Sequence, residues 1–98
     1  MKILMVCLGN ICRSPLAEGI LLAKIKARNL SWEIDSAGTS GWHQGELPDT
    51  RSIAVAKAHG IDLTDQRSRQ FKTLDFEKFD LILAMDSSNY TNITKLAT

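Results

Sequence analysis

Residues Lys2 to Val6 form an almost unbroken apolar run, closed by Gly9-Asn10 and followed at once by Ser14-Pro15. An apolar run without alternation suits a strand covered on both faces, as at the centre of a parallel sheet. Ser14-Pro15 reads as a helix start: Ser caps free N–H groups, Pro fits the first helical position, and Glu18 lies in the first turn against the dipole. A buried strand, a tight loop and a helix in that order restrict the chain to the α/β class. Leu16, Ile20, Ala23, Ala27 and Leu30 recur at spacings of four, three, four and three, with Lys24, Lys26 and Arg28 near the far end. That stripe predicts the face the helix packs on the sheet.

The alternation continues downstream. Ser31 to Ser36 holds a short strand pattern in which Trp32 and Ile34 alternate with Glu33 and Asp35, and a Gly-rich loop runs from Ala37 to Gly45. A helix is expected from Thr50 to His59, with Gly60 as its cap. Phe79 to Met85 is the third strand, and Asp86-Ser87-Ser88 caps a last helix. Alternating strands and helices imply a parallel sheet with helices on both faces, right-handed crossovers, and ligands beyond the carboxyl ends of the strands.

At 98 residues the chain fits a single domain. Twelve Lys and Arg against 11 Asp and Glu leave a net charge of +1, with no basic excess to neutralise a run of phosphates, so nucleic acid is not an expected partner. The apolar stretch Ile3 to Leu8 is too short to cross a bilayer and lacks the leader of a signal peptide, so no membrane role and a cytoplasmic location are expected. Two cysteines, Cys7 and Cys12, are too few for a disulfide scaffold and fit a reducing compartment.

The end of the first strand carries Cys7-Leu8-Gly9-Asn10-Ile11-Cys12-Arg13-Ser14, a cysteine and an arginine separated by five residues. A five-residue loop can form a ring of inward N–H groups, and the helix that follows adds its positive dipole end, so the ring suits a tetrahedral oxyanion. Gly9 admits backbone conformations closed to other residues, and Asn10 tolerates the left-handed region while its side chain ties the loop. Arg13 can clamp two phosphate oxygens bidentately. Cys7 stands at the floor of the ring, where the N–H dipoles, Arg13 and the Ser14 hydroxyl favour a thiolate. A thiolate beneath a phosphate monoester is placed for in-line attack, giving a phosphocysteine that water hydrolyses, with neither metal nor cofactor. A lone cysteine ending a buried strand is otherwise a small apolar filler. The company of Gly, Asn, Arg, Ser and Pro at the needed positions argues against that here.

Val6 to Pro15 resembles the phosphate-binding loop of the low-molecular-weight protein tyrosine phosphatases, a family that also includes arginine phosphatases and one class of arsenate reductases. The resemblance continues through Asp35-Ser36-Ala37-Gly38-Thr39, Gly60-Ile61-Asp62, Ser68-Arg69-Gln70 and Met85-Asp86-Ser87-Ser88-Asn89. It implies a three-layer α/β/α fold with a flavodoxin-like strand order 2-1-3, the fourth edge strand missing, over a single domain 1–98 incomplete at its C-terminus. It implies Cys7 as nucleophile, Arg13 as phosphate ligand, Ser14 as stabiliser of the thiolate and Asn10 as keeper of the loop's shape. Ser36 is implied as loop support, and Trp42 and His43 as a cleft wall beside the ring, a reading that outweighs the alternative of an ordinary exposed loop. Cys12 fits either a reversible disulfide with Cys7, as the family can form, or simple packing on the first helix. A zinc site is not expected from two thiols without a nearby His. Asp86 matches a family position, but capping the helix beside it is its expected duty.

Phosphotyrosine proteins and small aryl phosphates are the implied substrates, with inorganic phosphate and vanadate as inhibitors. Ile11 suits the tyrosine-type pocket, whereas relatives acting on phosphoarginine tend to carry Thr there. Arsenate reductases need cysteines around the end of the third strand, and Leu83-Ala84-Met85-Asp86 offers none. Gln66 stands near where many relatives place a His that bonds the loop Asn. The family's general acid is an Asp followed by Pro, and the only prolines here are Pro15 and Pro48, preceded by Ser14 and Leu47. The alternative to a phosphatase is therefore a truncated, non-catalytic oxyanion-binding module.

Overall fold

A computed structural model describes residues 1–41 and 43–97. Strand β1 is Lys2–Cys7, helix α1 Arg13–Ala27, β2 Glu33–Gly38, α2 Thr50–Ala58, the short α3 Asp75–Lys78, β3 Leu81–Ala84 and α4 Ser87–Leu96. The three strands form a parallel sheet in the order β2-β1-β3, with Met5 opposite Ser36 on one side and Leu83 on the other. The central strand is β1, and Ile3 to Cys7 are all buried, as an uninterrupted apolar run requires.

Alternation along β1 divides its side chains between two layers. Leu4 and Val6 meet Ala37, Phe71 and Ile93 in one core cluster, with Phe76, Phe79, Ile82 and Ala84 around it, so α3 and α4 cover that face. Phe71 and Phe76 pack edge to face at 5.2 Å. The opposite face carries Met5 and Ser36 and lies under α1, which in turn packs against α2. The layers are thus α/β/α, as expected.

Three local expectations are corrected. The second strand begins at Glu33 and runs to Gly38, two residues beyond Ser36, because its ladder with β1 continues to Cys7. The four-residue α3 falls in a segment with no helical pattern of its own, held by Asp75, whose carboxylate accepts from the Lys72 N–H and from Arg69. The third correction concerns α1. Ser14, Pro15, Glu18, Gly19 and Ile25 are its buried residues, while Ile20, Ala23, Ala27 and Leu30 of the expected stripe face solvent. Leu21 and Leu22 make the helix apolar on more than one side, so periodicity alone could not choose the packed face.

Close approach chose it. A Cβ at Gly19 would lie 2.5 Å from Leu63 Cδ2 and 3.0 Å from Ile61 Cγ2, and Leu63 is fully buried. Gly19 therefore lets the segment after α2 close over α1. Gly19→Ala is expected to gain about 1 kcal/mol of helix propensity and lose more to overpacking, a net destabilisation of about 1–2 kcal/mol. A lower urea midpoint at unchanged slope would show it, and an unchanged midpoint would mean that Leu63 moves freely.

No helix among the described residues is long and apolar enough to cross a membrane.

Candidate functional site

The carboxyl end of β1 meets the amino end of α1 through residues 8–12. The Asn10 N–H donates to Cys7 Sγ at 3.2 Å, and Ser14 Oγ lies 2.9 Å from the same sulfur. Cys7 is buried and Leu8 is exposed, so the loop folds back over the strand end. Asn10 takes φ +57°, the left-handed conformation expected of it, and is 2% exposed. Its side-chain N–H groups donate to Ser14 Oγ and Ser36 Oγ, each at 2.9 Å, and its Oδ1 accepts from the Arg69 N–H at 3.0 Å. The structure thus brings together Cys7, Asn10, Ser14 and Ser36.

Ser14 does not cap α1, contrary to expectation. The cap position is Cys12, with no side-chain cap bond, and the Ser14 hydroxyl is committed to the sulfur and to Asn10. Cys12 is exposed and accepts from Ser52 Oγ of α2 at 3.3 Å; both thiols are free. Asp49 caps α2 and donates its N–H to the Ile11 carbonyl, fixing the loop from a second side. Arg13 is half-exposed at the rim, its Nη2 3.0 Å from Asp86 Oδ2. Asp86 also caps α4 as expected, accepting from the Asn89 N–H at 2.8 Å. That N–H and Arg13 hold its carboxyl below the usual carboxylate range.

His43 packs on Gly9, where a Cβ would come 3.0 Å from His43 Cδ2, and Leu8, Gly9, Ile11, Ser40 and His43 line a cavity of about 250 Å³. His43 Nδ1 pairs with Glu46 at 2.8 Å. The other expected wall residue, Trp42, lies outside the described residues. Gln66 bonds elsewhere, donating to the Pro15 carbonyl at 3.0 Å.

Sequence reasoning missed three residues that shape the loop. Gly38 ends β2 directly beneath it: a Cβ there would lie 2.7 Å from the Leu8 oxygen and 3.0 Å from Asn10 N, both backbone atoms that cannot step aside. Arg69 pins the Asn10 amide and is itself held by Asp35 at 3.2 Å and by Asp75 at 3.1 Å. Ser68 donates to the Gly9 carbonyl at 2.9 Å. The family segments Asp35 to Thr39 and Ser68 to Gln70 held these residues, but nothing local revealed their contacts.

Glu18 differs most from expectation. It is not in the first turn; it is buried, 9% exposed, and accepts from Ser36 Oγ at 2.6 Å. Burial pushes its carboxyl up from 4.5 to about 7, with Asp35 raising it further, while the Ser36 hydroxyl and Arg69 oppose the rise. A folded pKa above the unfolded one means that the native state holds the proton more tightly. The associated stability is fully present below about 4.5 and is lost as pH rises to about 7. Glu18→Gln should therefore gain stability over the parent between pH 5 and pH 8, on the order of 2 kcal/mol by urea unfolding. A pH-independent difference would remove Glu18 as a buried titrating group.

Comparison with known proteins bears on this site. The family model described as low molecular weight phosphotyrosine protein phosphatase matches residues 2–98. The Schizosaccharomyces pombe low molecular weight phosphotyrosine protein phosphatase is 46% identical over 98 residues, 97% of this chain and 62% of its own length. The Homo sapiens protein of the same name is 44% identical over 96 residues, 96% of this chain and 60% of its own. Among solved structures, a protein tyrosine phosphatase from Entamoeba histolytica superposes with TM-score 0.93 at 42% identity, over 97% of this chain and 62% of that one. A Drosophila arginine phosphatase superposes with TM-score 0.95 at 43% identity, over 99% and 62%. The chain spans about 60% of the length of these relatives.

Proposed function

The chain belongs to the low molecular weight phosphotyrosine protein phosphatase family, and from that premise we propose that it hydrolyses phosphotyrosine monoesters through a phosphocysteine on Cys7. One observation carries the reading: a buried cysteine sulfur receives an N–H from Asn10 and stands 2.9 Å from the Ser14 hydroxyl, within a loop closed by an arginine. Donors aimed at sulfur stabilise its anion, and the thiolate is the nucleophile. Sulfur attacks phosphorus in line with the ester oxygen; the S–P bond forms as the P–O bond to the phenol breaks. Loop N–H groups and Arg13 take the phosphoryl oxygens, for which Arg13 exchanges its contact with Asp86. Water then cleaves the S–P bond, releasing phosphate and restoring Cys7. Inorganic phosphate and vanadate fit the same ring and should inhibit.

Phosphoarginine is the second substrate reading, carried by the likeness to the Drosophila protein. Ile11 favours the aryl ester, because its branched apolar side chain stands at the mouth beside His43 and suits the face of a phenyl ring. The absence of cysteine from Leu83 to Asp86 disfavours arsenate reduction. Two unpaired thiols suit a reducing compartment, and the cytoplasm is the proposed location. Aryl phosphate hydrolysis by the parent and by Cys7→Ser tests the reading. Oxyanion binding without hydrolysis in the parent would replace it with a non-catalytic binding module.

A further inference from the structure

We propose that Glu18 is a positioning residue for the nucleophile, its carboxyl acting through Ser36, Asn10 and Ser14 to fix the hydrogen bond that Cys7 receives. The proposal rests on Cys7 being the reacting atom, as above, but its geometry is separate. Asn10 has two side-chain N–H groups, and both are used, one on Ser14 Oγ and one on Ser36 Oγ. The Arg69 N–H on Oδ1 forbids the flipped amide. Each serine oxygen therefore accepts from Asn10 and keeps one hydroxyl proton to give away. Ser14 gives its proton to the Cys7 sulfur at 2.9 Å, and Ser36 gives its to Glu18 Oε1 at 2.6 Å. The donors run outward from Asn10 in two arms, one ending on the Cys7 sulfur and the other on Glu18, the acceptor that terminates the second arm. Without that acceptor, the Ser36 proton would compete with the Asn10 N–H and loosen the amide that holds Ser14.

The surroundings of Glu18 show why a carboxyl here can also carry a proton. It borders a cavity of about 610 Å³ on the side of α1 toward β2, with Lys26 of α1, Asp35 of β2, and Asp62, Asp65 and Arg67 of the segment after α2. Asp35 and Arg69 act on it with opposite signs. Gln66 lines the same cavity, and its Oε1 is buried without a hydrogen-bond partner, an acceptor that an ionised carboxylate cannot serve and a protonated one can. Either form of Glu18 keeps an oxygen able to accept from Ser36. Positioning therefore survives protonation, while the charge behind the loop changes near neutral pH.

The test follows carboxymethylation of Cys7 by iodoacetate, read by peptide mass so that Cys12 does not interfere. Circular dichroism checks that each variant is folded. Glu18→Ala is expected to slow the reaction at pH 6 about tenfold, the scale of one lost hydrogen bond to the nucleophile. Glu18→Gln, which still accepts from Ser36, should react within about twofold of the parent. Protection of Cys7 by tungstate, whose charge is constant between pH 6 and pH 8, should titrate near neutrality in the parent and lose that step in Glu18→Gln. Equal rates in Glu18→Ala and the parent would overturn the proposal, as would a titration that persists in Glu18→Gln. Should Glu18→Ala fail to fold, Ser36→Ala breaks the same chain and is expected to show the same slowing; a parental rate there overturns it too. Absence of tungstate protection in the parent would count against the oxyanion site instead, and the contrast between the alanine and glutamine variants would still decide the relay.

Discussion

Replacing Cys7 with serine is expected to abolish hydrolysis of aryl phosphates while leaving oxyanion binding nearly intact. The two properties separate because different atoms carry them. On the proposed reading, binding would rest on backbone N–H groups of residues 8–12, on the start of α1 and on Arg13, none of which includes the sulfur. Turnover needs an anion at the floor of the ring. A thiol gives up its proton far more readily than a serine hydroxyl, so the surroundings at 3.2 Å and 2.9 Å that serve a sulfur nucleophile leave a serine neutral. The expected loss is at least on the order of ten-thousand-fold in kcat, the scale seen when a covalent nucleophile is removed. Nitrophenyl phosphate turnover and calorimetric titration with tungstate measure the two sides. Retained turnover would remove Cys7 as nucleophile. Lost binding in a folded variant would mean that the sulfur itself shapes the ring.

The parts of this architecture legible in the sequence were those encoded locally. The run Lys2 to Val6 announced the central strand because a strand covered on both faces has no polar side to show. Asp86 announced α4 because a cap acts within three residues of itself. Asn10 announced its left-handed turn for the same reason. The failures share the opposite character. Glu18 resembled any acid near a helix start, and only the arrival of Ser36 from eighteen residues away makes it a buried acceptor. Gly38 looked like an ordinary strand-end glycine, and its requirement comes from the Leu8 carbonyl passing 2.7 Å from where a Cβ would stand. The exposed stripe of α1 shows the same limit: apolar periodicity reports that a face is available for burial, not which neighbour takes it. Leu81 and Leu83 repeat the point on β3, half-exposed on the α1 side of the sheet although the run they belong to reads as buried.

The 98-residue polypeptide should hydrolyse nitrophenyl phosphate far faster than phosphotyrosine peptides, by a factor on the order of a hundred to ten thousand. The reason lies in the leaving group. A tyrosine phenol has a pKa near 10, so its oxygen departs slowly unless a proton reaches it as the P–O bond breaks, whereas a nitrophenolate leaves without one. No described carboxyl at the mouth is suited to supply that proton. Asp86 is nearest to Arg13, but the Asn89 N–H and Arg13 keep it ionised at neutral pH, a poor donor. Asp49, beside Ile11, is likewise held low by the Arg51 N–H. Glu18 does hold a proton near pH 7, yet it is buried and reaches the loop only through the Ser36 hydroxyl. The rate should therefore fall steeply as the pKa of the leaving phenol rises, a slope measurable with a series of substituted phenyl phosphates. A shallow slope would show that some residue of these 98 donates the proton after all. Asp86→Asn would then identify it: retained shallow dependence clears Asp86, and a steepened one convicts it.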